Sequence, residues 1–226
     1  MSSRSRKIAQ PARFLTLTAF AVLAAAPLAP PAASAAHAAP VSNTSVPTVT
    51  FMSPDQYSQQ WALPPSASVK ITKIPDVFRT DSGTIVTAAG SPIALLDPPG
   101  GGGTASWQTI EWDEHDLRGV GTPTRLGNSS LGYNHFAKPH NLYTHKPITA
   151  SFQTHKPDVD SGAHVEYIAW AVNTSDGSIK AQVRVVVQAA TRTDDGKWQT
   201  NDGKNIGVIT AYCQGVTLCP NWINSI

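Results

Sequence analysis

Four histidines and three lysines fall between Leu131 and Pro157, a 27-residue stretch with no acidic residue. They are His135, His140, His145 and His155, with Lys138, Lys146 and Lys156. The acid-free span is longer still, from Leu117 to Pro157, and adds Arg118 and Arg125. Three chemistries could use such a set: metal ligation, proton transfer, or the holding of an anion. Metal ligation fits poorly. His135, His140 and His145 are spaced by five, which is ~500° around a helix, so successive side chains leave a common face. On a strand the odd step alternates faces, and no H-E-x-x-H arrangement is present. No metal and no cofactor is expected.

Proton transfer fits better. Imidazoles titrate near neutrality, so two in one site can divide the roles of base and acid. A nearby lysine or guanidinium can stabilise an anionic transition state. Cleavage of RNA needs such a set: a base for the 2′-hydroxyl, a cation for the phosphoryl group, and an acid for the leaving 5′-oxygen. The plain reading is that these histidines are solvated polar residues of a loop.

The elements that must position these residues read as β-rich. Val165–Val172 and Ile179–Ala189 are apolar and β-branched, and Gly207–Cys213 is a further strand. Asp194-Asp-Gly196 and Asn201-Asp-Gly203 are hairpin turn signals. Together they predict an α+β, β-rich fold with an antiparallel meander of about four strands and little helix. Asn128–Tyr143 is expected to be irregular or briefly helical, because Pro139 opposes a long helix. On the Ile179–Ala189 strand, Lys180, Gln182 and Arg184 share one parity, and Val183, Val185 and Val187 the other. On the last strand, strict alternation puts Val208, Thr210 and Tyr212 on one face, with Ile209 and Ala211 on the other. Trp170 and Trp198 are expected to pack in the core or across strands. Cys213 and Cys219, the two cysteines of the chain, are expected to pair and pin the last turn to that strand.

The first 38 residues read as a secretory leader. Arg4, Arg6, Lys7 and Arg13 precede an apolar, proline-broken run and small-residue cleavage sites. The run is too short for a stable membrane span. These residues hold four of the 17 basic residues and none of the 15 acidic ones, so the remainder carries a net charge of −2. No general basic field marks nucleic-acid binding. The chain is therefore read as exported, extracellular and monomeric, with no membrane attachment after leader removal. The alanine-rich leader has a bacterial style. Residues 39–105 are rich in Pro, Ser, Thr and Gly, with a linker at Asp97–Ser106 and short strands expected within Ser68–Thr80 and Thr84–Ala89. Residues 106–226 are expected to be the compact β-rich domain that carries the candidate catalytic residues.

In its order of motifs the chain resembles the small toxin ribonucleases of the barnase, EndoU, colicin-nuclease and RelE-like group. The resemblance rests on Gly132-Tyr-Asn-His135, Lys138 and His140, then a β-meander, then Ile209-Thr-Ala-Tyr212, within residues 115–226. Pro139 stands where such toxins tend to show Lys-His-Gly, and the cysteine pair is an addition. The resemblance implies metal-independent RNA cleavage that leaves a 2′,3′-cyclic phosphate. His135 would be the base and His140 or His145 the acid. Lys138, Lys146 or Arg184 would stabilise the phosphate, and Thr210 and Tyr212 would position it. Lys146 and Arg125 are further substrate-binding candidates, and a proteinaceous inhibitor is the implied partner. The competing expectation is a non-catalytic secreted β-domain that binds a glycan or a protein. A serine hydrolase lacks its G-x-S-x-G motif here.

Overall fold

A computed structural model of the chain describes residues 46–64, 74–87, 89, 106–153 and 155–226. The expected leader and nearly all of the Pro/Gly linker lie outside the described residues. In chain order the elements are β1 (Val49–Met52), α1 (Pro54–Ser58), β2 (Val77–Arg79), β3 (Ile85–Thr87), β4 (Ile110–Trp112) and β5 (Thr124–Arg125). Then come α2 (Tyr133–His140), α3 (Lys146–Thr149), β6 (Val159–Ser161), β7 (His164–Asn173), β8 (Ile179–Gln188), β9 (Gly207–Cys213) and a C-terminal 3-10 helix (Asn221–Ser225).

The expected antiparallel meander is present as β6, β7, β8 and β9, paired in sequence order. A fifth strand joins it: β1 lies against the far half of β7, with Val49 opposite Asn173 and Met52 opposite Trp170. The sheet of residues 106–226 thus takes in one strand from the region before it. The Pro/Ser-rich composition around β1 hid a short segment, Val49-Thr-Phe-Met52, whose Val49 and Phe51 are buried.

Alternation divides the sheet into two faces. Val165, Tyr167, Ala169 and Ala171 of β7 join Ala181, Val183, Val185 and Val187 of β8 on the core face. Phe136 and Ala137 of α2, Ile148 of α3, Phe78 of β2, and Trp222, Ile223 and Ile226 pack over them. Burial of so many large apolar groups is the main stabilising contribution. The other face carries His164, Glu166, Ile168 and Trp170 on β7, with Gln182, Arg184, Val186 and Gln188 on β8. Trp170 is buried there against Tyr57 and Val172, so its expected packing role holds.

The parity expected for β9 does not hold. Thr210 pairs with Val186, but Val208 pairs with Val187, so Ile209 is an extra residue in the ladder. This β-bulge moves Val208 to the core face with Ala211 and Cys213, and it leaves Thr210 and Tyr212 together on the other face.

Candidate functional site

α2 is placed by its first glycine. Gly132 has φ +79°, a conformation that L side chains rarely adopt, and a Cβ there would come within 2.6 Å of the Arg125 carbonyl oxygen. Its N–H donates to the Ile209 carbonyl at 2.9 Å, which ties the start of α2 to the outer edge of β9. Tyr133, Phe136 and Ala137 bury the inner side of the helix. Pro139 sits near its end, and the chain leaves through Asn141 in the left-handed region at φ 57°. The helix is thus brief, as Pro139 requires.

The disulfide holds the other end. Cys213, the last residue of β9, is bonded to Cys219, with Cα atoms 5.3 Å apart. The loop it closes docks on α2. Cys219 N–H donates to the His140 carbonyl at 2.9 Å, and Asn141 Nδ2 donates to the Cys219 carbonyl at 2.6 Å. His140 Nδ1 donates to the Thr217 carbonyl at 3.2 Å. His135 Nδ1 donates to the Ser129 carbonyl at 2.8 Å. With Nδ1 committed as a donor, the neutral form of each imidazole carries its lone pair on Nε2.

These anchors bring together residues far apart in sequence. The rings of His135 and His140 are 6.3 Å apart between centroids, and His140 is 6.0 Å from the Tyr212 ring. Tyr212 lies opposite Arg184 across the β8–β9 ladder, and Thr210 lies opposite Val186. Arg184 Nη1 donates to Glu166 Oε2 at 2.8 Å, and His164 Nε2 contacts Glu166 Oε1 at 3.0 Å. Arg184 Nε and Thr210 Oγ1 are shielded and have no hydrogen-bond partner among the described residues. Both carry unspent bonding capacity on this face, a costly arrangement for a purely structural surface. His135, His140, Arg184, Thr210 and Tyr212 thus share one surface patch. Exposed Lys138 lies on the same helix and makes no ion pair among the described residues.

The other candidates go elsewhere. His145 stacks beside Trp112, with ring centroids 4.9 Å apart, and its Nε2 lies against Glu114 Oε1. Lys146 forms an ion pair with Asp81. Arg125 is fully buried. Its guanidinium grips Asp202 at 2.9 and 3.0 Å and also donates to the carbonyls of Gln108 and Asn205. All of its N–H groups are occupied, so it has none left for a substrate. Arg118 bonds Asp116 at 2.8 Å and Asp160 at 2.6 Å. The acid-free span is therefore not a free cationic surface. Acids from other parts of the chain face most of it, and Lys138 on α2 and Lys156 beyond it make no ion pair among the described residues.

Glu166 and His164 were not picked out as candidates from the sequence. The signal was available: a His-x-Glu spacing of two on a strand puts both side chains on one face, the same parity that turns Arg184 outward. Among the described residues, no three His, Cys, Asp or Glu side chains come together as a metal-ligand group. Among them, too, no helix is long and apolar enough to cross a membrane. No family model, curated protein or solved structure matches this chain.

Proposed function

We propose that the chain is a secreted, metal-independent endoribonuclease of toxin type. The observation that carries this reading is the convergence of His135 and His140 from α2 with Arg184, Thr210 and Tyr212 from β8 and β9. In the proposed reaction His135 Nε2 takes the proton of a ribose 2′-hydroxyl, whose oxygen attacks the adjacent phosphorus. The Arg184 guanidinium stabilises the pentacoordinate anion, using the N–H groups that Glu166 leaves free. The Thr210 hydroxyl donates to a non-bridging oxygen, and Tyr212 flanks the phosphate. His140, protonated at Nε2, delivers its proton to the 5′-oxygen as the P–O bond breaks. The products are a 2′,3′-cyclic phosphate and a free 5′-hydroxyl, and one proton has moved from one histidine to the other. Glu166 is a positioning residue that holds the guanidinium over the sheet.

Secretion agrees with the Cys213–Cys219 disulfide, a bond that persists in oxidising compartments. The test is incubation of the purified, oxidised protein with total RNA and tRNA in EDTA, beside a His135→Ala variant. Cyclic-phosphate ends from the wild type, with at least a hundredfold loss in the variant, support the assignment. Cleavage that EDTA abolishes makes the reaction metal-dependent. A folded protein that cleaves no RNA sinks the ribonuclease reading in favour of a β-domain that binds a glycan or a protein.

A further inference from the structure

A cavity of about 340 Å³ lies beside Arg184, on the face of the sheet turned away from the core. Ile168 stands opposite Arg184 across the β7–β8 ladder, and Trp170 opposite Gln182. These two apolar side chains form the floor of the cavity. Pro54, Leu63 and Pro64, from α1 and the segment after it, wall it in. Leu63 is 57 % exposed and offers apolar surface to an occupant. An occupant with an apolar body gains by covering that surface.

The polar groups fix the chemistry of the occupant's other end. Trp170 Nε1 donates to Gln182 Oε1 at 3.1 Å. An indole N–H can only donate, so the Gln182 oxygen is committed to it and the amide nitrogen faces away. That nitrogen donates in turn to Gln214 Oε1. The relay ends on the Gln214 amide nitrogen, whose N–H groups have no partner among the described residues. Arg184 Nε is shielded and likewise unpartnered among them, and Glu166 takes only Nη1. The polar end of the cavity therefore presents donors. Its acid, Asp158, is engaged at Oδ2 by the buried His155 at 2.9 Å. A carboxylate, an acceptor at both oxygens, matches this set, whereas a bare phosphate would leave the apolar floor uncovered. The geometry points to a binding site for a small monocarboxylate with an apolar body, of the medium-chain fatty acid class. Its carboxylate lies on Arg184 and Gln214, and its chain lies over Ile168 and Trp170. The site stands apart from the ribonuclease reading, and one consequence rests on that reading. A carboxylate on Arg184 occupies donors that the phosphoryl group needs, so the filled cavity holds the nuclease off.

Octanoate is the probe, with octanamide and acetate as controls that lack its charge or its chain. Binding to the oxidised protein is followed by titration calorimetry without RNA, in wild type, Leu63→Asp and Gln214→Ala. Both positions are exposed and lie outside the proposed catalytic set. Fold and basal cleavage should therefore be unchanged, which circular dichroism and ligand-free RNA cleavage check. Octanoate is expected to bind at least about tenfold tighter than either control. Each substitution should weaken it by about tenfold or more, through a repelling charge at Leu63 or a lost donor at Gln214. Octanoate should also slow RNA cleavage by the wild type at concentrations that fill the site, and not by Leu63→Asp. Equal binding of octanoate and octanamide, no binding, or binding unchanged by both substitutions overturns the site. Octanoate binding by a protein that cleaves no RNA leaves the site standing and removes the nuclease. Cleavage undiminished with the site full overturns the placement of the carboxylate on Arg184.

Discussion

At the scale of single residues, the same side-chain type has opposite fates according to what lies opposite it. Arg184 and Arg125 are both guanidiniums on strands. Arg184 keeps N–H groups unspent beside Tyr212, whereas Arg125 spends all of its own on Asp202 and backbone carbonyls. The two should separate cleanly on mutation. Arg184→Ala is expected to lower kcat/KM for RNA by about 10²–10³-fold with little change in melting temperature, as for loss of a transition-state donor. Arg125→Ala should instead cost roughly 2–5 kcal/mol of stability, because it empties a fully buried site and leaves the Gln108 and Asn205 carbonyls without their donor; urea unfolding measures it. Period-two alternation made the outward turn of Arg184 legible in the sequence. The burial of Arg125 was not legible, since its partner Asp202 is 77 residues away and sits in a turn that reads as solvent-facing. The partners of His145 and Lys146 were hidden for the same reason: Glu114 and Asp81 lie outside the acid-free span and meet it only in the fold.

At the scale of elements, α2 is fixed at both ends to β9, by Gly132 at its start and by the disulfide loop at its finish. Cys213→Ser with Cys219→Ser is expected to cost about 2 kcal/mol from loop closure. RNA cleavage should fall further than that loss explains, even well below the melting temperature, because His140 loses its hold on Thr217. Proportionate losses of stability and activity would argue against this positioning role. Gly132→Ala forces a left-handed φ on alanine and a Cβ into the Arg125 carbonyl. It should destabilise by more than about 2 kcal/mol, read as a lower urea midpoint. The meander, its turn residues and the disulfide were legible, because periodicity, Asp-Gly turns and cysteine spacing are local signals. The bulge at Ile209 was not. Counting by two along β9 assumes an unbroken ladder, and the extra residue changes which of Val208 and Ile209 faces the core. Thr210 and Tyr212 still share a face because both follow the bulge.

At the scale of the molecule, charge pairing sets the response to acid. Burial alone would push the Asp116 carboxyl up, but hydrogen bonds from Tyr167, Arg118 and the Val120 N–H outweigh it and hold it below its ordinary value. The Arg125 guanidinium does the same for Asp202. A carboxyl whose pKa is lower folded than unfolded stabilises the fold above its unfolded value of about 4. That contribution disappears as pH falls through the folded value. Stability should therefore be flat from neutrality to about pH 5 and decline steeply below 4. Asp202→Asn should shrink that decline. Urea midpoints from pH 7 to pH 2.5 would test both.

The core is closed from both ends of the described chain. Val49 and Phe51 of β1 and Trp222, Ile223 and Ile226 at the C-terminus pack into the same cluster, and β1 finds its partner strand more than a hundred residues downstream. Loop closure of that span comes before any reward from the contact, so folding of such a topology is slow and late. A polypeptide cannot complete this core until residues 222–226 are free to join it. It should stay threadable, with Tyr212 and His140 unassembled, for as long as those residues are held. Pulse proteolysis of chains tethered by their C-terminus should find them cleavable until release and resistant after it. For a chain proposed to cut RNA, that order of events would disarm it inside the cell that makes it.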